Sequence, residues 1–163
     1  DKVKIMIDTS VWIECRTDNE FREAIEKIAD KHEVRSSEVI EKELDKSTEF
    51  LYQKGEKNPD FSKSLHKKYR KAVIKTTSSV QNLADEYVIE AKKLHSPTKK
   101  KLPDFIIVAA ATLDNVEFIL TLNRRTLASD TMKAVYSLVN NKRNLKTPQF
   151  LTDKISIRGF SYA

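Results

Sequence analysis

Three carboxylates, Asp8, Glu43 and Asp104, occupy places in this sequence where a negative charge needs a reason. Asp8 directly follows the apolar, β-branched run of residues 3–7, so it would stand at the end of a buried strand; it could equally cap the helix that Thr9 and Ser10 begin. Glu43 falls on the same helical face as Val39, Ile40, Leu44, Phe50 and Leu51, whereas Glu38, Glu41, Asp45 and Glu49 fall on the opposite face. A carboxylate on a core face must be paired with a cation or an arginine, or else lie at the rim and reach water. Asp104 follows Leu102 and Pro103 and opens the almost wholly apolar stretch 105–113. Acid in a first helical turn is itself favourable by about 0.3–1 kcal/mol, which is a purely structural reason for its place.

Taken together, the three suggest one chemistry. Carboxylates brought together repel and raise each other's pKa, and a divalent cation removes that repulsion. Oxygen ligands without His or Cys favour Mg²⁺ or Mn²⁺ over zinc. Such an ion activates water and stabilises charge on a phosphoryl group. Asn123 closes a later apolar stretch and could orient water or the ion, or simply make a turn. Arg124 and Arg125 follow at once and could meet a phosphate backbone, as could the run Lys99, Lys100 and Lys101, which reads equally well as a solvated loop.

The elements expected to carry these residues alternate between strand and helix. Strands are expected at 3–7, 33–36 and 117–122, with an edge strand at 155–160. Helices are expected at about 18–31, 38–51, 60–74, 79–94, 105–113 and 124–140, with a turn at 54–59 and a loop at 96–101. Alternation of this kind predicts an α/β fold with a parallel sheet covered by helices, and ligands at the carboxyl ends of its strands.

Composition narrows the options. At 163 residues the chain is expected to form one domain, 1–163. Only two glycines occur, Gly55 and Gly159, which excludes a glycine-rich phosphate cradle. A single cysteine, Cys15, suits a reducing compartment, and His32, His66 and His95 show no ligand spacing. With no apolar run of membrane-spanning length and no signal-peptide pattern at the start, the expectation is a cytoplasmic protein without a membrane partner. A net charge of +6 favours polyanionic partners.

Four short motifs, in order, carry a family resemblance: Ile-Met-Ile-Asp-Thr-Ser-Val-Trp (5–12), Ser-Glu-Val-Ile-Glu-Lys-Glu-Leu (37–44), Leu-Pro-Asp-Phe-Ile-Ile-Val-Ala-Ala-Ala (102–111) and Ile-Leu-Thr-Leu-Asn-Arg-Arg-Thr-Leu (119–127). On these the chain resembles the PIN-domain ribonucleases, close to the VapC-type toxins. The resemblance implies a three-layer α/β/α fold with a central parallel sheet and Mg²⁺- or Mn²⁺-dependent hydrolysis of RNA. Asp8, Glu43 and Asp104 match the family's acidic metal-site positions, and Ser10 and Thr121 match hydroxyl positions near such sites. The fourth acidic position falls on Asn123, and the acid sometimes found three residues later is Thr126. That departure sets up the alternative, a degenerate module that binds RNA or protein without cutting. The resemblance further implies a small antitoxin partner, docked over helices between residues 38 and 75, and a homodimer. A phosphatase with its aspartate after the first strand would want a second Asp at position 10, where Ser10 stands.

Overall fold

The structure, a computed structural model, describes residues 1–94 and 102–163. The apolar run near the start forms β1 (Lys4–Ile7), and α1 (Thr9–Glu14) follows Asp8 directly. Helix α2 (Asn19–Lys31) is capped by the Asp18 carboxylate, which accepts from the Phe21 N–H at 3.0 Å. Strand β2 (Glu33–Ser37) leads into α3 (Glu38–Gln53), whose N-cap is Ser37. Then come α4 (Phe61–Tyr69), β3 (Ala72–Ile74), α5 (Ser78–Lys93), α6 (Leu102–Leu113), β4 (Phe118–Leu120), α7 (Asp130–Lys142), β5 (Gln149–Leu151) and α8 (Lys154–Ser161).

All four strand pairings are parallel, in the order β3-β2-β1-β4-β5. The chain steps outward from β1 through β2 to β3, then crosses back to place β4 on the other side of β1. The crevice between β1 and β4 is therefore a switch point, where sheets of this kind receive ligands. Asp8 extends the β1–β4 pairing by one bond, its N–H donating to the Leu120 carbonyl at 2.9 Å.

Alternation along the strands separates the layers. Phe118 meets Phe160 of α8, whereas Phe150, in register with Ile119, stacks on Tyr136 of α7. Successive strand residues point to opposite faces, so α7 and α8 lie on opposite sides of the sheet. Helix α2 packs with α8, and α5 packs with both α6 and α7, which gives the three-layer α/β/α arrangement expected.

Three expectations are corrected. The span 60–74 is a helix only to Tyr69; Arg70 is extended, and residues 72–74 pair with β2 as an edge strand. Leu65, Tyr69 and Val73 keep helical spacing across the break, and three residues are too few to show a strand period. The edge strand expected at 155–160 is helix α8, capped by the Asp153 carboxylate, which accepts from the Ser156 N–H at 2.7 Å. Ile155 is 84 % exposed and Ile157 fully buried, and the edge strand beside β4 is β5. The helix expected from 124 starts at Asp130 under a Ser129 cap, leaving 124–128 as a turn.

The face of α3 also divides: Ile40 and Leu44 are buried and Leu51 is half-buried, but Phe50 is 55 % exposed.

On the inner face of α4, His66 is buried between Trp12, which meets its ring edge-on, and Ser36, whose hydroxyl lies 2.6 Å from Nε2. Burial, helped by the nearby Arg70 charge, pushes its pKa down to about 4. The folded chain thus holds a neutral imidazole at pH values where the unfolded chain, near 6.5, takes a proton. Stability should be unaffected by this group above pH 6.5, fall as pH drops towards 4, and level off below. The full difference is about 3 kcal/mol. Urea unfolding across pH 4–7, compared with His66→Gln, checks this: a variant with the same slope removes His66 as the cause.

Candidate active site

Asp8 is buried at the carboxyl end of β1, 4 % exposed. Although it sits at the N-cap of α1, its side chain makes no capping bond. Instead Oδ2 accepts two hydroxyls, from Ser10 at 2.8 Å and from Thr121 at 2.8 Å. Each hydroxyl oxygen in turn accepts a backbone N–H from the chain after β4: Leu122 to Ser10 at 3.0 Å and Asn123 to Thr121 at 3.0 Å. Both hydroxyl protons are thereby aimed at Asp8. Burial raises the Asp8 pKa, and the two hydroxyl bonds oppose that rise.

Glu43 is half-buried on α3, and its Oε1 accepts the Thr9 hydroxyl at 2.6 Å. Burial raises its pKa, the Thr9 bond opposes the rise, and the negative charge of Asp8 adds to it. Asp8 and Glu43 therefore share one electrostatic neighbourhood, though they are 35 positions apart. Thr9 was read from the sequence only as a helix-start residue. Its place beside Asp8 was the available signal, but the contact depends on how α1 packs against α3.

Asp104 lies half-buried in the first turn of α6. Its charge bears on the buried Tyr136, whose pKa is pushed well up, first by burial and then by Asp104, with a smaller contribution from Asp8. The Tyr136 hydroxyl itself donates to the Leu127 carbonyl at 2.7 Å. Tyr136 thus feels the charge of both aspartates, and the sequence did not single it out.

Asn123 is partly buried, with its Oδ1 accepting the Thr126 N–H at 3.1 Å. Arg124 and Arg125 are exposed on the turn that follows. Lys99, Lys100 and Lys101 lie outside the described residues.

Whether the donors suit a divalent cation can be weighed from this geometry. Among the described residues no three His, Cys, Asp or Glu side chains are grouped closely enough to hold an ion between them. Mg²⁺, however, keeps several waters and is commonly held by one or two carboxylates plus substrate phosphate. Two hard-oxygen carboxylates, both disfavoured as anions by burial and one raised by the other, fit that kind of site.

The hydroxyl relay has a measurable weight. Thr121→Val keeps the shape of the side chain but leaves the Asn123 N–H and Asp8 without this partner. Unfolding free energy should fall by about 1–3 kcal/mol, measured by urea denaturation at pH 7. A loss below a few tenths would mean that water replaces the hydroxyl.

A PIN domain family model matches residues 5–130. Among solved structures, the chain is similar to VapBC2 from Rickettsia felis bound to a DNA fragment from their promoter. There the TM-score is 0.59 at 12 % identity, covering 92 % of this chain and 98 % of that one. It is likewise similar to VapBC-1 from nontypeable Haemophilus influenzae, with a TM-score of 0.58 at 15 % identity, covering 91 % of this chain and 97 % of that one. At these identities the likeness shows the fold. No curated protein sequence matches the chain.

Proposed function

The chain belongs to the PIN domain family, and from that premise we propose that it is a metal-dependent endoribonuclease, the toxin of a toxin–antitoxin pair. The observation that carries the reading is the approach of Glu43 to Asp8 at the switch point of the sheet, where Thr9, next to Asp8, donates to the Glu43 carboxylate at 2.6 Å and the Asp8 charge raises the Glu43 pKa. Asp8 and Glu43 would hold Mg²⁺ or Mn²⁺, Glu43 directly or through water, and Asp104 would add its charge from the first turn of α6. When bound, the ion makes water more acidic and offsets charge on the phosphoryl oxygens. Ser10 and Thr121 keep Asp8 oriented, Thr9 does the same for Glu43, and Asn123 positions the attacking water or the ion. Arg124, Arg125 and the lysines at 99–101 hold the RNA backbone.

The VapBC neighbours support a small antitoxin as partner; a homodimer and a cytoplasmic setting are part of the same proposal. The exposed Phe50 and Tyr52 on α3 suit a protein partner over the helices between residues 38 and 75. Among the described residues no helix is long and apolar enough to cross a membrane.

The deciding experiment is an assay on a generic RNA with EDTA and with Mn²⁺, alongside thermal unfolding with and without the ion. Cleavage only with Mn²⁺, and a Tm raised by Mn²⁺, are expected. The second reading, a non-cutting RNA- or protein-binding module, is favoured by Asn123 at the fourth acidic position. RNA binding without cleavage at any Mn²⁺ concentration would establish it.

A further inference from the structure

A cleft of ≈ 370 Å³ lies between the α1–α2 connection and the α3–α4 turn, lined by Arg16, Asn19, Arg22, Lys57, Asn58 and Phe61 among others. Its charges are unevenly matched. Arg16 directs its guanidinium at two backbone carbonyls, Lys57 at 2.7 Å and Asn58 at 3.3 Å. Neutral acceptors fix the group without cancelling its charge, and among the described residues its only carboxylate partner is the exposed Glu56, 3.8 Å away. Arg22 is paired with Glu26. Lys57 is exposed and forms no ion pair among the described residues. Three cations thus face two carboxylates, beside an aromatic ring and two amide side chains.

We propose that this cleft is a subsite for a nucleotide flanking the cut, its phosphate held by Lys57 and Arg16 and its base stacked on Phe61; this rests on the nuclease reading above. Single-stranded nucleic acid is held by this combination, cations along the backbone and an aromatic face for the base. An acidic peptide would use the cations but has no use for the ring. Position also favours a substrate role. Helix α1 has six residues and starts beside Asp8, so its far end is about 9 Å along the axis. A strand crossing Asp8 can therefore reach the cleft within a few nucleotides.

The test uses full-length Asp8→Asn protein in EDTA, so that the strand is bound and not cut, and reads anisotropy of a labelled single-stranded RNA octamer. Lys57→Glu should weaken binding about tenfold and flatten the slope of log K against log salt by about 0.7, one phosphate contact on a single strand. Lys31→Glu, at the opposite end of α2, should change Kd less than about twofold, the effect of net charge alone. Phe61→Leu, with folding checked by Tm, should weaken binding at least about fivefold and leave the salt slope unchanged. Equal losses for Lys57→Glu and Lys31→Glu overturn the subsite and leave the nuclease reading standing. Displacement of the octamer by a poly-glutamate peptide, with loss of peptide binding in Lys57→Glu but unchanged RNA affinity, assigns the cleft to an acidic protein segment and overturns it too. No RNA binding by any version overturns the subsite, and the nuclease reading is then decided by the Mn²⁺ cleavage assay alone.

Discussion

Asp8→Asn should lower Mn²⁺-dependent RNA cleavage by roughly 10²–10³-fold while leaving the fold intact or slightly more stable. The two halves of that expectation have different causes. An amide is a poor ligand for a hard cation, so the substitution removes the charge through which this edge of the sheet would hold one. For the fold the effect runs the other way. Burial holds the Asp8 pKa above its ordinary 3.8, so the folded chain retains this proton to higher pH than the unfolded chain does. Stability from this group is present at low pH and declines as pH rises through the folded pKa, so at pH 7 the ionised carboxylate opposes folding. Asparagine keeps an oxygen for the Ser10 and Thr121 hydroxyls and carries no charge. Paired measurements of cleavage rate and Tm at pH 7 check both. Loss of activity together with a large drop in Tm would mark Asp8 as a structural residue, and unchanged cleavage would remove it from the chemistry.

Trp12→Ala should destabilise the chain by about 3–5 kcal/mol. Trp12 is fully buried, and its indole N–H donates to the Ile7 carbonyl at 3.0 Å, one residue before Asp8. Its ring also forms one wall around His66, so removal opens a cavity shared by α1, α4 and β2. Trp12→Phe retains most of the volume and loses the N–H, and should lose about 0.5–1.5 kcal/mol. Because Trp12 is the chain's single tryptophan, unfolding in urea is best followed by circular dichroism. Near-equal losses for the two variants would assign the effect to the hydrogen bond and not to packing.

The parts of this molecule that the sequence made visible are those that local pattern determines. The run before Asp8 is apolar and β-branched, and it is the buried central strand. Glu43 shares a helical face with Ile40 and Leu44, and it is half-buried and bonded to Thr9, the neighbour of Asp8. The parallel sheet with helices on its faces followed from strand–helix alternation, whereas the strand order that makes the switch point did not. Other features depend on contacts between distant segments and left little local trace. β3 and β5 have three residues each, too short for a period, and exist as strands because β2 and β4 offer them partners. Residues 155–160 contain enough alternating apolar residues to suggest a strand, yet Asp153 and packing on α2 make them a helix. The Thr9–Glu43 bond and the exposure of Tyr136 to the charge of two aspartates required α1, α3, α6 and α7 to be positioned first.

The turn after β4 has a consequence for how the charge of this edge could change over time. Asn123 serves the turn through one oxygen, accepting the Thr126 N–H, and through its own N–H and carbonyl, bonded to Thr121 and Ala128. Aspartate offers the same oxygen and the same main chain, so the backbone there is indifferent to which of the two it carries. A lineage could exchange amide for acid at position 123 in either direction, altering appetite for a second cation without rebuilding the loop.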